Sequence, residues 1–225
     1  MIIIFDLDGT LLNTIDDLGY ACNYALEKTG HPTFPIEAYP AKVGNGINNL
    51  IRRALPESER TEETILRVRD FFVPYYNEHN CDYTHPYTGV PEVLAALKAQ
   101  GHLLAVASNK YQAATEKIVN HFFPGIFDVI LGEREGIERK PNPKIVFDIL
   151  DRCAVRGETT DVVRSEILYV GDSLVDYETA KNANVPFVAC SWGFVSRERL
   201  VTAEIATIVD TPKDILKLKD VLAII

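Results

Sequence analysis

The sequence predicts a doubly wound α/β fold, a parallel-sheet core with an inserted helical cap, on three observations. Short apolar runs recur along the chain, helical patterns alternate with them, and one interval is too long for a single crossover. The runs cover residues 2–5, 103–107, 129–131, 167–170 and 187–190. They are apolar at consecutive rather than alternate positions, which suits strands buried on both faces of a parallel sheet. Between them, residues 91–100 begin with Pro and are followed by Gly101, the asymmetry of a helix. Asn142 can cap a helix opened by Pro143, with Ile145, Val146, Ile149, Leu150 and Cys153 on one face. After Asp172, Leu174, Tyr177 and Ala180 repeat at helical spacing up to Asn184, a residue that tolerates the left-handed turn at a helix end. Strand–helix alternation of this kind builds a doubly wound sheet.

The long interval separates Asp8 from Leu103 by roughly 95 residues, where a βαβ unit needs about 30. Three helical stripes fill it: Ile15, Leu18, Cys22 and Ala25; Ile47, Leu50, Ile51, Ala54 and Leu55; and Ile65, Val68, Phe72, Tyr75 and Tyr76. Pro86 and Gly89 mark the return. The expected division is therefore a core of residues 1–13 and 86–225 and a helical cap of residues 14–85. The insertion leaves the C-terminal end of the first strand, where sheets of this class bind ligands.

Composition narrows the function classes. The 225 residues are 47% hydrophobic and 24% charged, as in ordinary globular proteins. A net charge of −9 argues against a duplex-binding protein, whose affinity comes from Lys and Arg. No apolar run reaches the roughly 20 residues that cross a bilayer. The apolar start 2–5 has no basic residue before it and is cut short by Asp6 and Asp8, so it does not read as a secretory signal. Cys22, Cys81, Cys153 and Cys190 are far apart, which fits free thiols in a reducing, cytoplasmic setting. Neither a nucleic-acid nor a membrane partner is expected; oligomeric state is open.

Chemistry concentrates after the predicted strands. Phe5-Asp6-Leu7-Asp8-Gly9-Thr10 puts two carboxylates where the first strand gives way to a loop. Two buried like charges call for a divalent cation or a shared proton, and leaving the strand both can converge on one cation. Gly9 allows close turning around an anion, although an Asp-Gly pair also suits a solvated turn. Ser108-Asn109-Lys110 follows the second strand, and its hydroxyl and amide can bond phosphoryl oxygens or cap a helix. Lys140, in Arg139-Lys140-Pro141, follows the third strand; a lone lysine there equally suits the surface. Gly171-Asp172-Ser173-Leu174-Val175-Asp176 follows the fourth, its two acids one helical turn apart; they also suit an N-cap and a first-turn acid. In a parallel sheet these groups meet on one edge. A phosphomonoester brings about two negative charges. Ionised Asp6 and Asp172 add to them, while Lys140 and Mg²⁺, a cation suited to oxygen ligands, offset them.

The ordered set D-x-D-G-T, Ser108, Lys140 and G-D-x-x-x-D resembles the haloacid dehalogenase superfamily over essentially the whole chain, in its phosphatase branch with a small helical cap. Val43-Gly44-Asn45-Gly46 with Asp8-Gly9-Thr10-Leu11-Leu12 is most similar to the phosphoglycolate phosphatase group; Asn13 and Thr88 stand where that group often has Asp and Pro. The resemblance implies a Rossmann-like core and a phosphomonoester hydrolase acting through an aspartyl-phosphate on a small phosphorylated metabolite, phosphoglycolate first. Asp6 would be the nucleophile and Asp8 the general acid and base. Thr10, Ser108, Asn109 and Lys140 would hold the phosphoryl group. Mg²⁺ would be bound by Asp6, the Asp8 carbonyl and Asp172, with Asp176 supporting from behind. Gly44, Asn45 and Gly46 open a helix in the cap and would meet a substrate carboxylate, or simply form a tight turn. A β-phosphoglucomutase-like phosphotransferase or a pyrophosphatase would share this core, and a receiver-like phospho-accepting module is the alternative of another class.

Overall fold

The computed structural model describes residues 1–155 and 166–217. The chain divides into two units, Met1–Leu12 with Pro86–Ile225, and Asn13–His85. β1 (Ile2–Phe5) opens the first unit and β2 (Leu12–Asn13) leads out of it. The second unit holds α1 (Ile15–Lys28), α2 (Ile47–Ala54) and α3 (Glu62–His79), and β3 (His85–Pro86) leads back, pairing with β2 in a short ribbon. The first unit continues with α4 (Val90–Ala99), β4 (Leu103–Tyr111), α5 (Gln112–Phe122), β5 (Val129–Glu133), α6 (Lys144–Val155), β6 (Ile167–Gly171), α7 (Leu174–Ala183), β7 (Phe187–Cys190), α8 (Arg197–Thr202) and β8 (Ile208–Val209).

The six core strands form one parallel sheet in the order β5-β4-β1-β6-β7-β8. β1 is central: Ile2 to Phe5 lie opposite Leu103 to Val106 on one side and Ile167 to Val170 on the other. All four of its residues are buried, because both faces of the strand are covered. On one face Ile2, Ile4, Ala105, Ala107 and Tyr169 pack with Ile145, Val146 and Ile149 of α6 and with Ala180 and Ala183 of α7. Each fully buried isoleucine contributes about 1.5–3 kcal/mol. Helix ends follow local chemistry. The Asn142 side chain accepts a hydrogen bond from the Lys144 N–H at 2.9 Å, and α7 ends on Asn184 in the left-handed conformation, φ 54°.

Three features depart from the sequence reading. β4 runs to Tyr111 instead of stopping at Ala107, and its register with β5 breaks between those residues. Where the ladder fails, the Gln112 side chain replaces it, donating to the Ile130 carbonyl at 3.0 Å and accepting from the Gly132 N–H at 2.6 Å. A polar triplet, Ser108-Asn109-Lys110, can therefore sit in a strand without an apolar run to announce it. β5 and β6 likewise extend to Glu133 and Gly171. β8 was not expected; two residues are too short to carry a period.

In the second unit the three stripes close a core of their own. Leu18, Cys22 and Ala25 of α1, Leu50, Ile51 and Ala54 of α2, and Ile65, Val68, Phe72 and Tyr76 of α3 pack together with Tyr39. Buried Asp17 accepts from the N–H groups of Tyr83 and Thr84 at 3.0 and 2.9 Å, tying the end of the unit to α1. Gly44, Asn45 and Gly46 have φ of 110°, 62° and 83°, three successive positive values that turn the chain into α2. Arg53 of α2 holds this loop by donating to the carbonyls of Lys42, Val43 and Gly44 at 2.9–3.0 Å. Among the described residues no helix is long and apolar enough to cross a membrane, and all four cysteines are free thiols.

Candidate active site

β4, β1 and β6 are neighbours, so the residues that follow them share one edge of the sheet. Asp6 continues from β1, its N–H still bonded to the Val170 carbonyl at 2.9 Å, and Asp172 follows Gly171 at the end of β6. Together with Asp176 in the first turn of α7, they bring carboxylate oxygens within 4.8 Å of one another.

Lys140, from the loop before α6, runs into this acidic group. Its Nζ lies 2.9 Å from Asp6 Oδ1, 2.7 Å from Asp176 Oδ1, 2.8 Å from the Ala107 carbonyl and 3.2 Å from the Tyr169 hydroxyl. Four acceptors around three ammonium hydrogens leave one contact shared. The Tyr169 hydroxyl in turn donates to Asp176 Oδ1 at 3.2 Å. Lys140 is thus a buried, fully engaged cation and not a surface lysine.

Thr10 and Asn109, both expected at the phosphoryl group, direct their side chains elsewhere. Asn109 donates to the Lys140 carbonyl at 3.1 Å and accepts from the Lys140 N–H at 2.9 Å, so it clamps the backbone that carries the lysine. Thr10 donates its hydroxyl to Asp172 Oδ1 at 3.1 Å. The other oxygen of Asp172 accepts from the Phe194 N–H at 2.8 Å, and the Trp192 indole N–H donates to the Thr10 carbonyl at 3.1 Å. Asp172 is so closely wrapped that a Cβ on Gly9 would stand 2.4 Å from its Oδ2, and one on Gly193 would stand 2.3 Å from its Cβ. Only glycine fits at either position. The N-cap of α7 is Ser173, not Asp172: its hydroxyl donates to Asp176 Oδ2 at 2.5 Å and accepts from the Asp176 N–H at 3.3 Å.

The two acids of the D-x-D pair bond different lysines. Asp8 is outside the three-acid group, and its Oδ1 pairs with Lys110 Nζ at 3.0 Å. Buried Ser108 accepts the Lys110 N–H at 3.1 Å. Gly44, Asn45 and Gly46 belong to the helical unit. Sequence reasoning missed Lys110, Tyr169, Trp192 and Phe194. Lys110 stood inside a chosen motif but was given no role, whereas Tyr169 was hidden in an apolar run and the other two stand beyond any motif.

The electrostatics follow from burial and crowding. Burial, then Asp176, pushes the Asp6 carboxyl well above the ordinary carboxylate range, against the pull of Lys140. Burial and Asp176 also raise Asp172, to about 7, although the Phe194 N–H and Thr10 favour its charged form. For Lys140 burial works against the charge, but Asp176 and Asp6 outweigh it and keep the ammonium well above its usual value. Three clustered carboxylates, two of them sharing one ammonium, make an oxygen-lined place suited to a hard divalent cation.

Residues 3–190 match the family model described as haloacid dehalogenase-like hydrolase. The chain is 31% identical over 221 residues to a phosphoglycolate phosphatase of Aquifex aeolicus (strain VF5), covering 97% of this chain and 96% of that protein. It is 33% identical over 214 residues to a phosphoglycolate phosphatase of Pseudomonas syringae pv. tomato, covering 93% and 76%. Among solved structures, a predicted phosphoglycolate phosphatase from Haemophilus somnus 129pt superposes with a TM-score of 0.84 at 32% identity over 97% of each chain. The matched span runs from β1 to the end of β7 and includes every acid and lysine of the site. The chain therefore belongs to the haloacid dehalogenase-like hydrolase family.

Proposed function

We propose that the protein is a Mg²⁺-dependent phosphatase that hydrolyses a small phosphomonoester, phosphoglycolate, through an aspartyl-phosphate. The observation that carries this reading is the buried Lys140 ammonium shared by Asp6 and Asp176 beside Asp172, a site with the charges to hold a phosphoryl group and a cation together. The names of the relatives support the substrate.

Asp6, the Asp8 carbonyl and Asp172 would hold Mg²⁺, with Asp176 fixed behind them by Lys140 and Ser173. When bound, the cation supplies positive charge to the phosphoryl oxygens. Asp6 attacks phosphorus, the new Asp6 O–P bond forming as the P–O bond to the leaving group breaks. Asp8 gives the departing oxygen a proton, then takes one from the water that cleaves the Asp6–phosphorus bond and releases inorganic phosphate. Ser108 and Lys140 hold the phosphoryl group, where positioning and charge provide most of the catalysis. Thr10 and Asn109 act one step removed, orienting Asp172 and Lys140. Gly44, Asn45 and Gly46 would receive the substrate carboxylate, because their loop turns into the N-terminus of α2, where amides and the helix dipole attract anions.

The test is phosphate release by the purified protein from phosphoglycolate, sugar phosphates and pyrophosphate, with Mg²⁺ and with a chelator. Phosphoglycolate should give the highest kcat/KM, and chelation should abolish turnover until Mg²⁺ is restored. Preference for pyrophosphate, or conversion of a sugar phosphate to its isomer without net release, would overturn the reading.

A further inference from the structure

The two acids of the D-x-D pair meet different lysines, the one on Asp6 being shared with Asp176. Lys140 holds Asp6; Lys110 holds Asp8, Nζ to Oδ1 at 3.0 Å, with the two side chains 5% and 18% exposed. Lysine is almost never so buried without a partner, and ordering its long stem costs rotamer entropy. Its backbone is pinned to make this possible. The Lys110 N–H donates to Ser108 Oγ at 3.1 Å, and its carbonyl accepts from Thr115 Oγ1 at 3.0 Å. A Cβ on Gly132 of β5 would stand 2.4 Å from that same carbonyl oxygen. The register explains why the chain is available here. Ala107 pairs with Leu131 and Tyr111 with Glu133, so β4 carries more chain than β5 across this stretch, and Lys110 sits in the surplus.

The Asp8 backbone is equally fixed. It bridges to Leu12, and the N–H groups of Thr10, Leu11 and Leu12 all donate to the Leu7 carbonyl at 3.0–3.3 Å. With both backbones held, the ion pair to Lys110 acts directly on the rotation of the Asp8 carboxyl. We propose that Lys110 is a positioning residue of the reaction: by donating to Asp8 Oδ1 it holds the carboxyl in the orientation from which the other oxygen, Oδ2, gives its proton to the leaving oxygen. This rests on Asp8 being the general acid of the proposed phosphatase. General acid catalysis needs hydrogen-bond reach to the proton acceptor, and it matters most when the leaving group is poor.

The dependence on leaving group provides the test. Wild type, Lys110→Met, Lys110→Arg and Asp8→Asn are compared by kcat/KM on phosphoglycolate, ethyl phosphate and p-nitrophenyl phosphate. The first two expel alkoxides that need a proton; the third expels a stable anion. Lys110→Met should lose roughly ten- to a hundredfold on both alkyl esters, part of the 10²–10⁴ that general acids contribute, and only a few-fold on the aryl ester. Lys110→Arg, which keeps the charge, should recover part of the loss. The ratio between substrates is independent of the fraction of protein folded, so a destabilised variant still gives an answer. Equal losses on all three substrates would overturn the proposal in favour of a purely structural ion pair. A loss confined to phosphoglycolate would overturn it too, making Lys110 a partner of the substrate carboxylate, and so would no loss at all. Asp8→Asn isolates the underlying reading: if it does not itself discriminate alkyl from aryl esters, Asp8 is not the acid, and the fault lies there and not with Lys110.

Discussion

Lys140 carries the positive charge among three carboxylates, and the balance is uneven enough to be measured. Asp6→Asn removes the proposed nucleophile and one of the crowded acids together. Turnover should fall on the order of a thousandfold or more, while the melting temperature should not fall, since like-charge repulsion is relieved; near-normal activity would refute the assignment of Asp6. Asp172 gives a pH signature. Its carboxyl stands near 7 in the folded chain against 3.8 for an ordinary aspartate. Between those values the unfolded chain has already lost a proton that the folded chain keeps, so this residue's contribution to stability falls as pH rises through that window. In metal-free protein, melting temperatures from pH 4 to 7 should decline more steeply for wild type than for Asp172→Asn. On the proposed reading Mg²⁺ would compete with that proton and should stabilise wild type more at pH 7.5 than at pH 5. The acids and Lys140 were legible in the sequence because they come after predicted strands. Their pairing was not: spacing along the chain cannot tell that Asp8 turns to Lys110, or that Thr10 and Asn109 bond protein groups.

At the scale of elements, two irregular segments enter the proposed function. The break between β4 and β5 delivers Ser108, Asn109 and Lys110 to three different partners, and it was invisible in the sequence because a side chain, Gln112, replaces the missing ladder bonds. The other is the loop of Gly44, Asn45 and Gly46 ahead of α2. Gly46, with φ 83°, stands in backbone that a branched residue resists. Gly46→Val should lower kcat/KM for phosphoglycolate roughly ten- to a hundredfold more than for an uncharged aryl phosphate, the loss expected for one charge-assisted hydrogen bond. Equal losses on both substrates would leave the loop a folding role only. The regular elements were far easier to read. Buried parallel strands must be apolar at every position, and the three stripes of the second unit repeat at helical spacing, so both announce themselves; β8, two residues long, does not.

At the scale of the whole molecule, the sequence told the alternation of strands and helices but not the lateral order of the sheet. That order follows from which crossovers pack on which face, and no single residue declares it. It has a consequence in time as well as in space. β1 is the first strand to be made and the middle strand of the sheet, yet its two neighbours begin only at Leu103 and Ile167. Synthesis proceeds from the N-terminus, so Ile2–Phe5 must wait for nearly half of the chain before either edge is matched and for Ile167 before both are. Non-local pairing of this kind slows folding, and an apolar strand with an open edge invites association with other chains in the meantime. A ribosome-bound fragment ending before Ile167 would therefore present a fully buried strand of the finished protein as its stickiest surface.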